Sequence, residues 1–310
     1  MDWGSLSIIG MLASLIAAST PILLAALGEA VVERAGVLNL GVEGMMIIGA
    51  VAGFSAAVTT GSPWLGFLAG MGGGMALAVV FAVLTQGFLT NHVATGLALT
   101  LFGLGLSAMV GQSYVGQKPP RMPDINFGAL SELPFLGRVL FSHDLIVYLG
   151  ILLTILIWVF FRYVRAGLIL RAVGENHDAA HGLGYRVILT RVAAILFGGA
   201  MAGLGGAYLS LARVPQWTEG MTAGSGWIAL AIVVFASWRP ERVLVGAYLF
   251  GGITILQLNL QAAGMTLSPA YLSMTPYLVT IIVLVLITRS RLSRSSQAPA
   301  SLGRIFYAPR

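Results

Sequence analysis

The 310-residue sequence contains no cysteine, which excludes disulfide bonds and thiolate metal sites. Charged residues are also scarce: they make up 9% of the chain, against roughly 25% in a soluble domain. So few charges cannot coat a water-soluble protein of this size, and the 57% of hydrophobic residues exclude intrinsic disorder. What remains is a polytopic membrane protein built of helices, because a membrane β-barrel would show short alternating strands instead of long apolar runs.

Lysine is nearly absent as well, and the one lysine, Lys118, is followed by two prolines. A phosphate-binding loop needs the pattern Gly-x-x-x-x-Gly-Lys-Ser/Thr, so this chain cannot hydrolyse ATP by that machinery and a partner would have to supply the site. The four histidines form no metal-ligand pattern, and His177 and His181 are interpreted as solvated side chains of a polar loop. We therefore expect no catalytic residue, no metal and no cofactor in this chain.

Nine apolar segments are long enough, or nearly so, to cross the ~30 Å hydrocarbon layer of a membrane. The sequence thus predicts an all-α polytopic membrane protein with about nine transmembrane helices, forming one transmembrane domain over residues 1–310. The predicted spans cover residues 6–27, 42–60, 64–89, 93–112, 143–161, 192–212, 224–238, 243–261 and 268–288.

Small residues recur at every fourth position in two of these spans, which favours close packing of helix backbones within one subunit. The two sets are Gly66, Gly70, Gly74 and Ala78 in the third span, and Gly198, Ala202 and Gly206 in the sixth.

Arginine placement indicates the orientation. Five arginines lie in the loop 162–191 and five in the tail 289–310. Placing both segments in the cytoplasm and alternating the spans leaves 4 basic residues outside and 13 of the 17 inside. Because cytoplasmic loops carry the excess of basic residues, we expect the N-terminus outside and the C-terminus inside.

The predicted spans divide into two similar halves. Residues 6–112 form the first half, 143–161 a linking span and 192–288 the second half. The halves start in opposite directions, which is the relation of an inverted repeat and is common in transporters. The triplet Glu43-Gly44-Met45 recurs as Glu219-Gly220-Met221, which indicates corresponding polar breaks near opposite membrane faces.

No acidic or basic residue lies in the middle of a predicted span. Transporters driven by ions or protons usually keep such residues in the membrane, so this class becomes less favoured. The polar loop 162–191 has a more specific pattern: Glu175–His181 has helix-forming character and is followed by Gly182 and Gly184, which stop a helix. A short helix, a glycine turn and a second helix predict a compact docking element rather than an ordinary connection.

The loop resembles the coupling segment of permeases in ATP-binding-cassette (ABC) importers for ribose-type sugars, branched-chain amino acids and nucleosides. The resemblance lies in Arg171-Ala172-Val173-Gly174-Glu175-Asn176, Ala179-Ala180 and Gly182-Leu183-Gly184. Residues 33–46, and residues 219–231 followed by Trp238-Arg239-Pro240, are similar to the second, shorter permease of nucleoside importers that use basic-membrane-lipoprotein-type binding proteins. The resemblance covers nearly the whole chain, and the combination of these stretches is specific. Ala236-Ser237 and Gly184-Tyr185 depart from the family pattern and leave the substrate open.

This resemblance implies a permease subunit of an ATP-driven, binding-protein-dependent nucleoside importer, not itself an enzyme, in a bacterial inner membrane. It implies three partners: an ATP-binding subunit, a second and longer permease that completes a heterodimer, and an extracytoplasmic lipoprotein-type binding protein. The ATP-binding subunit would grip the loop. Polar contacts would come from Arg171, Glu175 and Asn176, close docking from Ala179 and Ala180, and the loop's shape from Gly174 and Gly184.

The translocation pathway is predicted to involve four residues at the two polar breaks, Asn39, Glu43, Glu219 and Trp227. Asn39 and Glu43 could instead cap the second predicted helix. Three other functions stay open: the same type of importer for a simple sugar such as ribose or galactose, a secondary transporter or channel that needs no ATP, and, more distantly, a membrane enzyme.

Overall fold

The structure is a computed structural model that describes residues 8–123, 125, 127, 128, 131, 133, 136–262, 274, 275, 278, 281, 282, 285 and 298–307. Within these residues the chain is built of helices, as the sequence predicts. The helices are α1 (Ile8–Arg34), α2 (Val42–Thr60), α3 (Pro63–Ala82), α4 (His92–Gly111), α5 (Leu136–Leu140), α6 (Leu145–Tyr163), α7 (Arg165–Glu175), α8 (His177–Gly182), α9 (Val187–Tyr208), α10 (Ser225–Phe235) and α11 (Pro240–Ala262). A π-helical turn follows α3 (Val83–Gly87) and another follows α9 (Leu209–Arg213).

Seven of these helices are long and apolar enough to cross a membrane: α1, α2, α3, α4, α6, α9 and α11. The predicted span 42–60 coincides with α2. The predicted span 224–238 is the 11-residue helix α10, which at about 1.5 Å per residue is too short to cross alone. The predicted span 268–288 lies almost wholly outside the described residues, so the count of nine and the orientation stay predictions.

Helix α9 packs against α1, α2 and α3 through backbones that almost touch. A Cβ atom added at Gly206 would lie closer than 3.0 Å to the Met46 carbonyl oxygen of α2. A Cβ atom added at Gly203 would also lie closer than 3.0 Å to a carbonyl oxygen, that of Gly70 in α3. The small residues that recur every fourth position therefore lie at these crossings, where lipid supplies no hydrophobic driving force and close contact between helices must hold them together.

The connection between α1 and α2 is not helical. After Arg34 the chain turns back at Gly36, whose positive φ of 84° suits glycine, and runs to Gly41 before α2 begins. Helix α4 packs on this segment: the Thr100 hydroxyl donates to the Leu40 carbonyl oxygen at 3.0 Å. Neighbouring helices thus cover the irregular backbone of this segment.

Helix α1 extends seven residues beyond the predicted end of the first span, to Arg34, so Glu29 and Glu33 lie in its last turns and are buried. The Glu33 carboxylate accepts from the indole of Trp238, and the Arg34 guanidinium donates to the Trp238 carbonyl oxygen at 3.3 Å. The turn after α10 is thus fixed to the C-terminal end of α1. Buried acids of this kind are tolerated because each finds a specific donor.

Candidate functional site

The coupling loop, residues 162–191, folds as two helices and a glycine turn. Asn176 is extended, with φ of −152°, and separates α7 from α8. Its side-chain Oδ1 accepts from the Ala179 backbone N–H at 2.9 Å, so Asn176 is the N-cap of α8. The predicted helix Glu175–His181 is therefore wrong at its start, because the cap comes after Glu175. Gly184 ends the element in the left-handed conformation, with φ of 86°.

Gly174 is the point at which the coupling loop rests on α1. A Cβ added there would lie closer than 3.0 Å to the Arg34 carbonyl oxygen and 3.2 Å from the Gly36 nitrogen. The Gly174 carbonyl oxygen in turn accepts from the Ser301 backbone N–H at 2.9 Å. Only glycine permits this approach of backbones, so the loop is seated directly on the end of α1.

The other predicted coupling residues divide into exposed and buried ones. Ala179 is exposed, and Glu175 is exposed with its carboxylate 4.0 Å from the Arg34 guanidinium. Ala180 faces inward, 2% exposed, in a small apolar cluster with Val173 and Val187. Arg171 is partly buried, and its Nε lacks a hydrogen-bond partner among the described residues. Asn176 is exposed, although its side chain is used as the cap.

Arg191 holds a position that the sequence analysis did not single out. Its side chain is fully buried and makes three hydrogen bonds to three different segments. Nε donates to the Ala35 carbonyl oxygen at 3.3 Å, Nη1 to the Arg304 carbonyl oxygen at 3.0 Å, and Nη2 contacts His177 Nδ1 at 3.1 Å. One guanidinium thus joins the end of α1, the coupling loop and the C-terminal segment.

His177 is not the solvated side chain that the sequence analysis expected, because it is 7% exposed and contacts Arg191. Burial and the positive charge of Arg191 lower the pKa of His177, while Asp178 opposes the shift. The neutral ring can accept from Arg191 at Nδ1, whereas a protonated ring would present a donor to a donor. His177 is therefore part of the internal contact between α8 and α9.

The polar break at Glu43 is occupied by the start of α10. The Glu43 carboxylate accepts from the Thr222 hydroxyl at 2.5 Å, from the Gly224 N–H at 2.9 Å and from the Gly226 N–H at 2.7 Å. A carboxylate at a helix N-terminus satisfies its unpaired N–H groups and suits its positive dipole end. Glu43 therefore caps α10 and not α2.

The two Glu-Gly-Met triplets lie at different levels along α4, although their segments are joined by the cap of α10. Glu43 bonds to residues that follow Glu219 by three to seven positions, so the segments that contain the triplets meet at one place. Glu219 itself is exposed and lines a crevice of about 440 Å³ with Trp217 and Gln112 at the far end of α4. The prediction that the triplets mark opposite membrane faces stays a prediction.

Asn39 and Trp227 differ sharply in exposure. Asn39 is fully buried: its backbone N–H donates to the Glu29 carboxylate at 3.3 Å, and its Oδ1 accepts from the Gly41 N–H at 3.0 Å. It thus shapes the turn before α2. Trp227, in the first turn of α10, is 48% exposed. Of the four predicted pathway residues, only Trp227 and Glu219 have exposed side chains.

The Glu43→Gln variant tests the cap of α10. We expect it to lower the free energy of unfolding by about 2–3 kcal/mol, because an amide nitrogen replaces one acceptor and faces a buried N–H donor. Chemical unfolding of the purified subunit in detergent would measure the change. The matched control is Glu219→Gln, in the same triplet but exposed, which should change the free energy by no more than about 0.5 kcal/mol. Equal effects of the two variants would contradict the cap.

Comparison with known proteins gives a family and several relatives. Residues 11–287 match the family described as permease component of the branched-chain amino acid transport system. The chain is 43% identical over 297 residues to the "Putative glucose ABC transporter permease protein TsgC13" of Haloferax volcanii, covering 89% of this chain and 90% of that protein.

Other relatives are named for nucleosides. The nucleoside ABC transporter permease NupC of Lactococcus lactis is 33% identical, over 89% of this chain and 91% of its own length. The guanosine ABC transporter permease NupQ of Bacillus subtilis is 30% identical, over 86% and 88%.

A solved structure has a similar fold. It is described as "An inward-facing conformation of a putative metal-chelate type ABC transporter" and shares 15% identity at a TM-score of 0.51. The likeness covers 90% of this chain and 84% of that chain.

Proposed function

The chain belongs to the family of permease components of branched-chain amino acid transport systems, and from that premise we propose that it carries a nucleoside through an ATP-driven, binding-protein-dependent importer. It is a multi-pass ABC permease of the nucleoside and sugar importer group, which confirms the resemblance noted in its sequence. ABC importers of this group combine permeases with an ATP-binding subunit and a substrate-binding protein, so ATP hydrolysis is assigned here to the partner.

The seating of the coupling loop supports the proposed energy transfer. Gly174 rests on the backbone of α1, and Arg191 ties the loop to Ala35. When two ATP-binding subunits close on ATP, a loop seated in this way passes the movement directly to α1 and α9. Close-packed helices move as units rather than deform, so the shift reaches α2 and α10 and changes which side of the pathway is open.

In the proposed complex, residues 162–191 and 298–307 face the cytoplasm, and the N-terminus lies outside. We assign the chain nine spans in a bacterial inner membrane and a second, longer permease as its partner in a heterodimer. A lipoprotein-type binding protein delivers the substrate to the opposite face, where the crevice beside Glu219 opens. The outward Glu175, Asn176 and Ala179 meet the ATP-binding subunit.

The proposed pathway uses exposed groups for contact and buried ones for support. Trp227 offers a flat apolar face on which a base can stack, and Glu219 offers acceptors for hydroxyl groups. Glu43 and Asn39 keep α10 and the start of α2 in place, since their polar atoms already bond within the chain.

A Trp227→Ala variant tests the pathway. We expect the KM for nucleoside uptake to rise about tenfold, because stacking of one base on an aromatic side chain contributes about 1–3 kcal/mol. Trp64→Ala is the matched control, since Trp64 on α3 is similarly exposed, at 41%. Uptake into membrane vesicles with the cognate binding protein would measure both, and an unchanged KM for Trp227→Ala counts against the assignment.

A hexose is the second candidate substrate, favoured by the 43% identity to a protein named for glucose. A panel of radiolabelled guanosine, other nucleosides, glucose, ribose and galactose, supplied with the cognate binding protein, separates the two. Uptake of nucleosides that excess glucose does not inhibit supports our proposal. Uptake of sugar alone would mean that the substrate is a sugar and not a nucleoside. Uptake without a co-purifying ATP-binding subunit would overturn the importer mechanism itself.

A further inference from the structure

Residues 298–307, here called the strap, lie against the coupling loop rather than hanging free as a tail. The Ser301 backbone N–H donates to the Gly174 carbonyl oxygen at 2.9 Å, and the His177 N–H contacts the Ser301 hydroxyl at 3.3 Å. The Gly303 N–H donates to the Gly36 carbonyl oxygen at 3.1 Å. The strap thus bonds both to the coupling loop and to the turn that follows α1.

Phe306 anchors the strap. It is 3% exposed and packs in the cluster that contains Val173, Ala180 and Val187. Its ring centroid lies 5.3 Å from that of His177 and 5.4 Å from that of His181. The phenyl ring therefore fills the space under α8 and contacts two successive turns of that helix.

Helix α8 depends on such contacts because it has only six residues. A helix of this length has no stability of its own, so its position is set by the side chains packed beneath it. Those side chains come from α7, from α9 and from the strap. Removing the strap takes away one of the three supports.

The buried Arg191 guanidinium fixes the same junction from the other side. Among the described residues, it forms no ion pair with an acidic side chain. Its hydrogen bonds go to Ala35, His177 and Arg304. A desolvated guanidinium is stable only when its donors are satisfied, so the three segments must stay together around it.

We propose that the strap is a positioning element for energy coupling, which fastens α8 to the inner end of α1 so that the two move as one body. This inference rests on the proposed function and adds to it a segment that lies outside the coupling loop. In the proposed complex, the ATP-binding subunit moves α8, and the strap and Arg191 carry that movement to Ala35 and Gly36. From there it reaches the non-helical segment that precedes α2.

Two neighbouring aromatic residues provide the test. Phe306→Ala removes the buried ring, whereas Tyr307→Ala removes a ring that is 67% exposed. In proteoliposomes that contain the complete importer, we expect Phe306→Ala to raise the number of ATP molecules hydrolysed per substrate imported about tenfold. This effect is smaller than the full destabilisation that loss of a buried aromatic side chain can cause. Tyr307→Ala should keep the wild-type ratio. The ATP-binding subunit should co-purify with both variants.

A reversible cross-link separates positioning from folding. Because the chain has no cysteine, His181→Cys and Phe306→Cys can be combined without removing a native thiol. The reduced double variant should be uncoupled, and a short thiol-specific, cleavable cross-linker should restore coupling in the same protein. Restoration shows that the strap and α8 need only be held together, whereas a merely misfolded protein stays uncoupled.

The possible results are distinguishable. If wild-type proteoliposomes show no ATP-driven uptake, the proposed function fails, and the strap proposal fails with it. If wild type is coupled but Phe306→Ala and Tyr307→Ala give the same ratio, the strap proposal alone is overturned. It is also overturned if the cross-link blocks transport, because the strap and α8 would then have to move apart.

Discussion

The Gly206→Ala variant is expected to be far less stable than the wild-type subunit. The added methyl group would lie closer than 3.0 Å to the Met46 carbonyl oxygen and about 3.0 Å from the Ala50 nitrogen, so it meets the backbone of α2 rather than a flexible side chain. Overpacking typically costs about 1–3 kcal/mol and more where the neighbour cannot yield. We expect a loss of about 4 kcal/mol, a large part of the roughly 5–15 kcal/mol that stabilise a folded protein.

Gly105→Ala is the control for this variant. Gly105 lies within α4, and a Cβ atom there has no neighbour within 4 Å. Alanine should therefore be neutral or stabilise by about 1 kcal/mol, the difference in helix propensity. Thermal denaturation of the detergent-solubilised subunit, followed by size-exclusion chromatography, would compare the two. A Gly206→Ala protein as stable as Gly105→Ala would show that α2 and α9 do not approach as described.

The Gly174→Ala variant is expected to leave the subunit folded but to lower ATP-driven uptake about a hundredfold, because displacing the loop from α1 costs up to about 3 kcal/mol. The new methyl group would push against the Arg34 carbonyl oxygen. Co-purification of the ATP-binding subunit should continue, because the outer face of α8 is unchanged. Initial uptake rates and ATP hydrolysis in proteoliposomes measure the effect.

Two glycines in the same loop serve as graded controls for Gly174. Gly182 has open space around it and no positive φ, so its alanine variant should transport normally. Gly184 also has open space but a φ of 86°, so alanine there should lose about 1–2 kcal/mol through backbone strain alone. If all three variants behave alike, contact with α1 is not what makes Gly174 important.

The long apolar helices could be predicted from the sequence because span length and hydrophobicity follow from the membrane itself. Helix α2 begins and ends where predicted, between Gly41 and Gly61. The end of α1 was predicted too early, because Glu29 and Glu33 follow the apolar run and a carboxylate normally lies in water. Their burial depends on Asn39 and on Trp238, the latter 205 residues from Glu33, and such pairings are not visible in a local pattern.

The candidate site was predictable where a motif marked it. The position of the coupling loop and the stop at Gly184 followed from its residues, but the start of α8 did not, because Asn176 can either continue a helix or cap one. The strap could not be placed, since 124 residues separate His177 from Ser301. A single signal was available: Ile305, Phe306 and Tyr307 form a short apolar run after the arginine- and serine-rich residues 289–296.

The place of the strap in the chain has a consequence for biosynthesis. The strap follows every helix that it fastens, and His177 leaves the ribosome 124 residues before Ser301. At about 5–20 residues per second, this interval lasts roughly 6–25 seconds. During that time α8 lacks one of its supports. In the complex proposed above, the surface offered to the ATP-binding subunit is therefore completed only after translation has passed all seven long helices. We expect this subunit to bind after membrane insertion rather than during it.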